Sequence, residues 1–287
     1  MDEQHKAFLK RSFETYLELL SNLHPTHRFL DFNFDFLDNR GWYLLGKEMV
    51  ESDLRELTNL LNRWQDSLDR WQAWNQVISN HDEDAAWELR REFLEALAHE
   101  CLLRPSALRD TFTSVATNAL HQVRLSNDPT YRDHLPGDPE TPTDRQKLLT
   151  RPHKEKRLQT IVDRWPGGDA LMKAIRRING PEYKQATSDY RNLVNHTLGP
   201  RLGIGAVRMV TRHVKPATKP EKGSDGRFHD IPVPGEMCVS YGFGGTPPLD
   251  LVAARRANEG QFRHARDCYE KYLDVLKSAV ADIKPQV

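Results

Sequence analysis

At 287 residues the chain is long enough for one large domain or two modest ones, and its mean hydropathy of −0.70 marks it as a soluble, globular protein. Hydrophobic residues make up 38% and charged residues 29%, a balance that points to solvated helical faces and an extended helical shape rather than a thick multilayer core. Basic and acidic residues cancel at 41 each, yet residues 1 to 100 hold 20 acidic against 11 basic, so an acidic first third faces a basic remainder.

The N-terminal stretch MDEQHKAFLKRSFETYLELL has neither a signal-peptide apolar core nor a small-residue cleavage site, and no apolar run approaches membrane-spanning length. Cys101, Cys238 and Cys268 are odd in number and far apart, which excludes a disulfide framework or zinc knuckle and fits a reducing cytoplasm.

In chain order, a first helix is expected over about 2 to 23, ending before His24-Pro25, followed by the aromatic stretch FLDFNFDF. Leu54, Leu57, Leu61, Trp64, Leu68, Trp71 and Ile78 then recur at steps of three and four, with Asn75 in one position, and predict a long helix with a coiled-coil-like seam. Leu89, Phe93, Leu97 and Cys101 predict a third helix closed by Arg104-Pro105, and Ser106 is the expected cap of a fourth, buried along Leu108, Phe112, Val115 and Ala119. SNDPTYRDHLPGDPETPT, residues 126 to 143, has four prolines and no apolar period, and is expected to be a connector.

Three helical pieces follow at about 144 to 165, 168 to 179 and 182 to 196. GIGAVRMVTRHV and EMCVSYGF are rich in β-branched and aromatic residues, with a Lys/Pro/Gly-rich loop between them, and predict a small hairpin with a long tip. A helix from Pro248 to about Ile283 closes the chain, with Leu251, Phe262, Cys268 or Tyr269, Tyr272, Val275 and Leu276 facing inward. The expected class is mainly α: a multi-helix bundle with a small β-hairpin inserted before the C-terminal helix. The expected division is residues 1–125, a connector at 126–143, and 144–287, with 106–125 able to join the last part in one continuous bundle.

The stretch YRNLVNHTLGP, Tyr190 to Pro200, carries the chemistry. An arginine four to six residues before a histidine means little alone, since roughly three such pairs arise by chance from 27 arginines and 12 histidines. Two occur. Arg208 and His213 fall in a predicted strand, where a spacing of five puts side chains on opposite faces. Arg191 and His196 fall on a helix, and Asn192 follows Arg191 one turn before His196.

Arg191-Asn192-Leu193-Val194-Asn195-His196 resembles the RNxxxH form of the Rx4-6H motif of the HEPN superfamily, helical bundles with the motif late in the bundle. The resemblance implies a metal-independent endoribonuclease of the kind found in toxin-antitoxin and phage-defence systems, acting as a homodimer with a composite cleft and possessing an antitoxin or other partner protein. An inactive nucleotide-binding or interaction version is the alternative it also implies.

The residue chemistry points the same way. His196 titrates near neutrality and suits general acid/base work on a 2′-OH, and Arg191 suits a two-pronged grip on phosphate oxygens. Asn192 could orient ring or substrate, with Tyr190, Asn195, Arg201 and Arg208 as substrate contacts. Basic runs flank the motif, ten Lys/Arg against four Asp/Glu at 144 to 177 and seven against two at 200 to 229, which fits RNA as the partner. Five positions separate Arg191 from His196 by about 140° on a regular helix, so their convergence requires the helix to loosen at Thr197-Leu198-Gly199-Pro200. The bland reading is helix capping by two cationic side chains.

Gly242, Gly244, Gly245 and Thr246 precede a helix but lack a P-loop lysine, and are expected to form a tight turn. Trp64, Trp71 and Trp74 are expected in the core. No histidine pairing suggests a metal, no cofactor is expected, and no membrane contact is expected.

Overall fold

The computed structural model describes residues 3–23, 29–141 and 148–286. The expected helix end at His24-Pro25, and residues 142–147 of the connector and the following piece, lie outside the described residues. The architecture is mainly helical, with one antiparallel two-stranded hairpin before the C-terminal helix. No helix of the described residues is long and apolar enough to cross a membrane.

Three long helices form the centre: α2 (Gly46–Ser79), α4 (Glu95–Asn127) and α9 (Leu251–Ala281), each about 50 Å long at 1.5 Å per residue. The seam expected on α2 is buried along its length from Leu54 to Ile78, and Trp64, Trp71 and Trp74 are core residues as expected. The inward set of α9 is buried too, with both Cys268 and Tyr269 inside. Asp250 starts α9 by accepting hydrogen bonds at Oδ1 from the N–H groups of Val252 (2.8 Å) and Ala253 (3.1 Å). In front of this centre, α1 (Glu3–Asn22) lies on α2, where Tyr16 stacks on Trp74 at 4.5 Å and Trp74 stacks on Phe93 at 4.4 Å.

The expected stop at Arg104-Pro105 is absent. A single helical run passes from α3 (Glu83–Leu89), through a π-turn at Arg90–Leu94, into α4 and past Pro105 to Asn127. Ser106 is therefore buried inside α4 instead of capping a helix, and both its carbonyl and its hydroxyl accept from Arg151 Nη2. Pro105 has no N–H, which leaves the Cys101 carbonyl without its helical donor. Asn258 of α9 supplies the replacement: its Nδ2 donates to Cys101 O at 2.7 Å and to Tyr183 Oη at 2.8 Å, while its Oδ1 accepts from Trp64 Nε1 at 2.8 Å. One fully buried side chain thus ties α9 to α2, α4 and the segment carrying Tyr183.

The remaining helices pack around α4 and α9: α5 (Arg151–Val162), α6 (Gly168–Arg177), α7 (Pro181–Ala186) and α8 (Tyr190–His196). Arg109 of α4 braces two of them, donating to Glu155 at 2.8 Å and to the Arg176 and Ile178 carbonyls at 3.2 Å. The described part of the expected connector, 128–141, is irregular, and His121 pins it through Tyr131 Oη and Asp133 Oδ1, both at 2.8 Å. The buried core runs on across it, from Tyr16 to Ile283.

The hairpin is longer than expected. β1 (Val210–Lys222) and β2 (Phe228–Phe243) incorporate most of the Lys/Pro/Gly-rich segment, which leaves a tip of only residues 223–227. A two-stranded ribbon has an unpaired edge on each side, so prolines such as Pro220 and Pro232 take positions that a central strand would forbid. The basal register pairs Val210 with Phe243, Arg212 with Tyr241, Val214 with Val239 and Pro216 with Met237, which gathers one largely apolar face. That face is open, with Phe243 94% and Tyr241 69% exposed.

Asn258→Ala should lower stability by about 2–4 kcal/mol, since it leaves Trp64 Nε1 and Cys101 O buried without partners at ~1–3 kcal/mol each. Urea denaturation measures this, and a loss below about 0.5 kcal/mol would remove Asn258 from its central role.

Candidate functional site

The motif helix expected at 182 to 196 is two helices. Thr187 Oγ1 turns back to the Tyr183 carbonyl at 2.8 Å, and Ser188 (φ 52°) and Asp189 (φ 46°) are consecutive left-handed residues. Such conformations cost non-glycine residues on the order of 1–3 kcal/mol each. The break launches α8 in a new direction with Tyr190, buried at 4% exposure, as its first residue.

From there α8 is regular through His196, with Leu193 N–H donating to Asp189 O and Thr197 N–H to Leu193 O. The expected stop is present: the chain leaves the helix at Thr197, and a side chain on Gly199 would collide with Val194. It falls beyond both members of the pair, however, so it does not turn Arg191 toward His196. Within one copy of the chain the two stay about 140° apart around the helix. Asn192, Asn195 and His196 lie on the exposed side. Arg191 is half-buried toward α4, where burial raises the Asp110 carboxyl but the Arg151 hydrogen bonds and the charges of Arg151, Lys154 and Arg191 outweigh this and hold it below its ordinary range. Neither Arg191 nor His196 makes a side-chain hydrogen bond or ion pair among the described residues, so neither donates to the carbonyls of the helix end; Thr197 meets the Leu193 carbonyl instead.

Tyr190 and Arg201 come together elsewhere. They line an open cleft of about 700 Å³ with Trp87, Arg91, Glu95, His99 and the loop Pro200–Ile204. Arg91, Glu95 and His99 recur every four residues along the π-turn and the start of α4, one helix face that the sequence displays and the motif search passed over. The π-turn is held from behind by the Trp74–Phe93 stack. The loop wall closes on it at Gly203 (φ +86°), where a Cβ would stand 3.2 Å from Arg90 Cδ. Inside, His99 Nδ1 and Tyr190 Oη are 2.9 Å apart. Burial, and then the charge of Glu95, pushes the Tyr190 hydroxyl up to about 12, so at neutral pH it is protonated and can donate to His99.

Arg208, expected in a strand, sits before β1 in a left-handed conformation (φ 57°) and is exposed, outside the cleft lining. The glycine loop at 242–246 is a tight return: Gly244 N–H donates to Met209 O and Thr246 N–H to Val207 O, which occupies amides that an anion nest would need free. Cys101 and Cys268 are buried, and burial pushes the Cys101 thiol up to about 12. No family model matches this chain, and no curated protein or solved structure matches it either.

Because the folded state holds the Tyr190 proton more tightly than the unfolded value of 10.0, its contribution is complete below pH 10 and is lost as pH rises toward about 12. Tyr190→Phe should therefore lose less stability than wild type between pH 9.5 and about 11.5 in denaturant titrations. Parallel curves would show that the tyrosine is not in this environment.

Proposed function

We propose that this chain is an HEPN-like, metal-independent endoribonuclease of the cytoplasm, belonging to a toxin-antitoxin or phage-defence setting with an antitoxin or other partner protein. His196 takes the 2′-OH proton and returns a proton to the leaving oxygen, Arg191 holds the phosphate as charge develops, and Asn192 orients substrate or ring. The observation that carries this reading is the outer face of α8, where Asn192 and His196 stand one turn apart in solvent and neither His196 nor Arg191 donates to the carbonyls of the helix end.

The divergence of Arg191 from His196 within one copy makes the site composite, with a homodimer bringing the motif of one copy beside that of the other. An open apolar ribbon face, extended near its root by Met209 (61% exposed), supports a second copy as its cover. Arg201 and Arg208 add cationic contacts for the RNA backbone. The same divergence also favours a second reading, a non-catalytic helical nucleotide-binding or protein-interaction module, in which the exposed motif face only contacts a partner.

Wild type should cleave RNA at the same rate with and without EDTA, and Arg191→Ala and His196→Ala should each slow cleavage by about 100-fold or more. Equal activity in all three proteins would sink the catalytic assignment. Sedimentation tests the composite site separately, since a monomer that still cleaves would exclude it.

A further inference from the structure

We infer that the cleft between the π-turn and the Pro200–Ile204 loop is a binding site for an organic phosphate monoester carrying a flat ring, a ligand of about mononucleotide size. Arg201 is shared with the ribonuclease reading, but Arg191, Asn192 and His196 do not line this cleft, so the inference stands without that reading. Its volume of about 700 Å³ lies in the range of small-molecule sites, roughly 300–1,000 Å³.

The charge inventory selects the ligand. Among the described residues the guanidinium of Arg201 is in no ion pair or hydrogen bond, and that of Arg91 meets only the ring of Trp87, at 5.5 Å. Two guanidiniums without ion-pair partners on one concave surface are suited to a doubly charged oxyanion, whose oxygens accept paired N–H donors. His99 adds a third polar group, for its Nδ1 is engaged by Tyr190 and its Nε2 has no partner among the described residues. Glu95, also without an ion pair there, works against a bare anion and in favour of a ligand that brings a hydroxyl or amine to accept. Trp87, 44% exposed, and Ile204 of the loop also line the cleft, and the indole is a surface on which a flat ring can stack.

The surroundings are built for position. The π-turn contributes Arg91 to this cleft, and the left-handed pair Ser188–Asp189 immediately precedes Tyr190 in its lining. π-turns inside helices recur at functional sites.

Calorimetric titration of the full chain with adenosine 5′-monophosphate, adenosine and inorganic phosphate tests the inference. Adenosine 5′-monophosphate should bind saturably, with adenosine and phosphate each at least ~10-fold weaker, a difference of 1.4 kcal/mol or more. Arg201→Gln and Arg91→Gln should each weaken it by about 10-fold or more with no change in melting temperature, since both side chains are exposed. His196→Ala should bind as wild type does. No saturable binding overturns the site, and so does binding that both arginine variants retain. Binding lost in His196→Ala but kept in Arg201→Gln places the ligand at the motif and overturns it equally. Loss of RNA cleavage in His196→Ala with nucleotide binding intact separates this inference from the ribonuclease reading.

Discussion

The carbonyl of Cys101, deprived of its helical donor by Pro105, is the group around which the bundle closes. A buried carbonyl without a donor costs on the order of 1–3 kcal/mol, so a proline in the middle of a 33-residue helix persists only where another part of the fold repairs it. Asn258 makes the repair and in the same stroke satisfies Trp64 and Tyr183. Tyr183 also donates to the next carbonyl along α4, that of Leu102, at 3.2 Å. Three central helices and α7 are thereby locked in one register by hydrogen bonds that work only if all four elements are in place.

The candidate sites inherit their positions from that lock. One turn on from Asn258, Gln261 Oε1 accepts from the Asn179 N–H at 2.6 Å and fixes the passage from α6 into α7. The chain then spends only three residues, Thr187 to Asp189, before Tyr190 is seated against His99. Anchored at both ends, this short segment has room for two left-handed residues and not for another helical turn. Tyr190 faces inward into the cleft as a result, and the polar residues that follow on α8 face outward. Two surfaces of different character, an open cationic cleft and an exposed Asn/His face, thus share one seven-residue helix.

Charge divides the molecule in a related way. The acidic first third supplies α1 and α2, and the described basic runs lie on α5, α6, the segment leading into the ribbon and β1. Several of those cations are consumed by structure: Arg176 donates to Gln159 at 3.2 Å, and Arg151 grips Asp110 at 2.7 Å together with the Ser106 carbonyl. Arg201 is not, and neither is Arg91 in the acidic first third. A basic run in the sequence therefore overstates the cation available to a ligand, and only the bonding of each guanidinium separates the two uses.

The amino-acid sequence by itself determined the helical class, the α2 seam, the inward face of α9 and the hairpin ahead of it, because spacings of three, four and two are local properties of the chain and burial follows them. It also marked the end of α8, since Gly199 and Pro200 act within a few residues of themselves. Pro105 misled because its helical cost is local while its compensation, Asn258, lies 153 positions away. The hairpin was underestimated because prolines argue against strands in general and are permitted at the two free edges of a ribbon. The break before Tyr190 and the meeting of Arg91, Glu95 and His99 with Tyr190 and Arg201 were decided only by tertiary structure. Each depends on which far-off helix a short segment is tethered to, and no local periodicity encodes that.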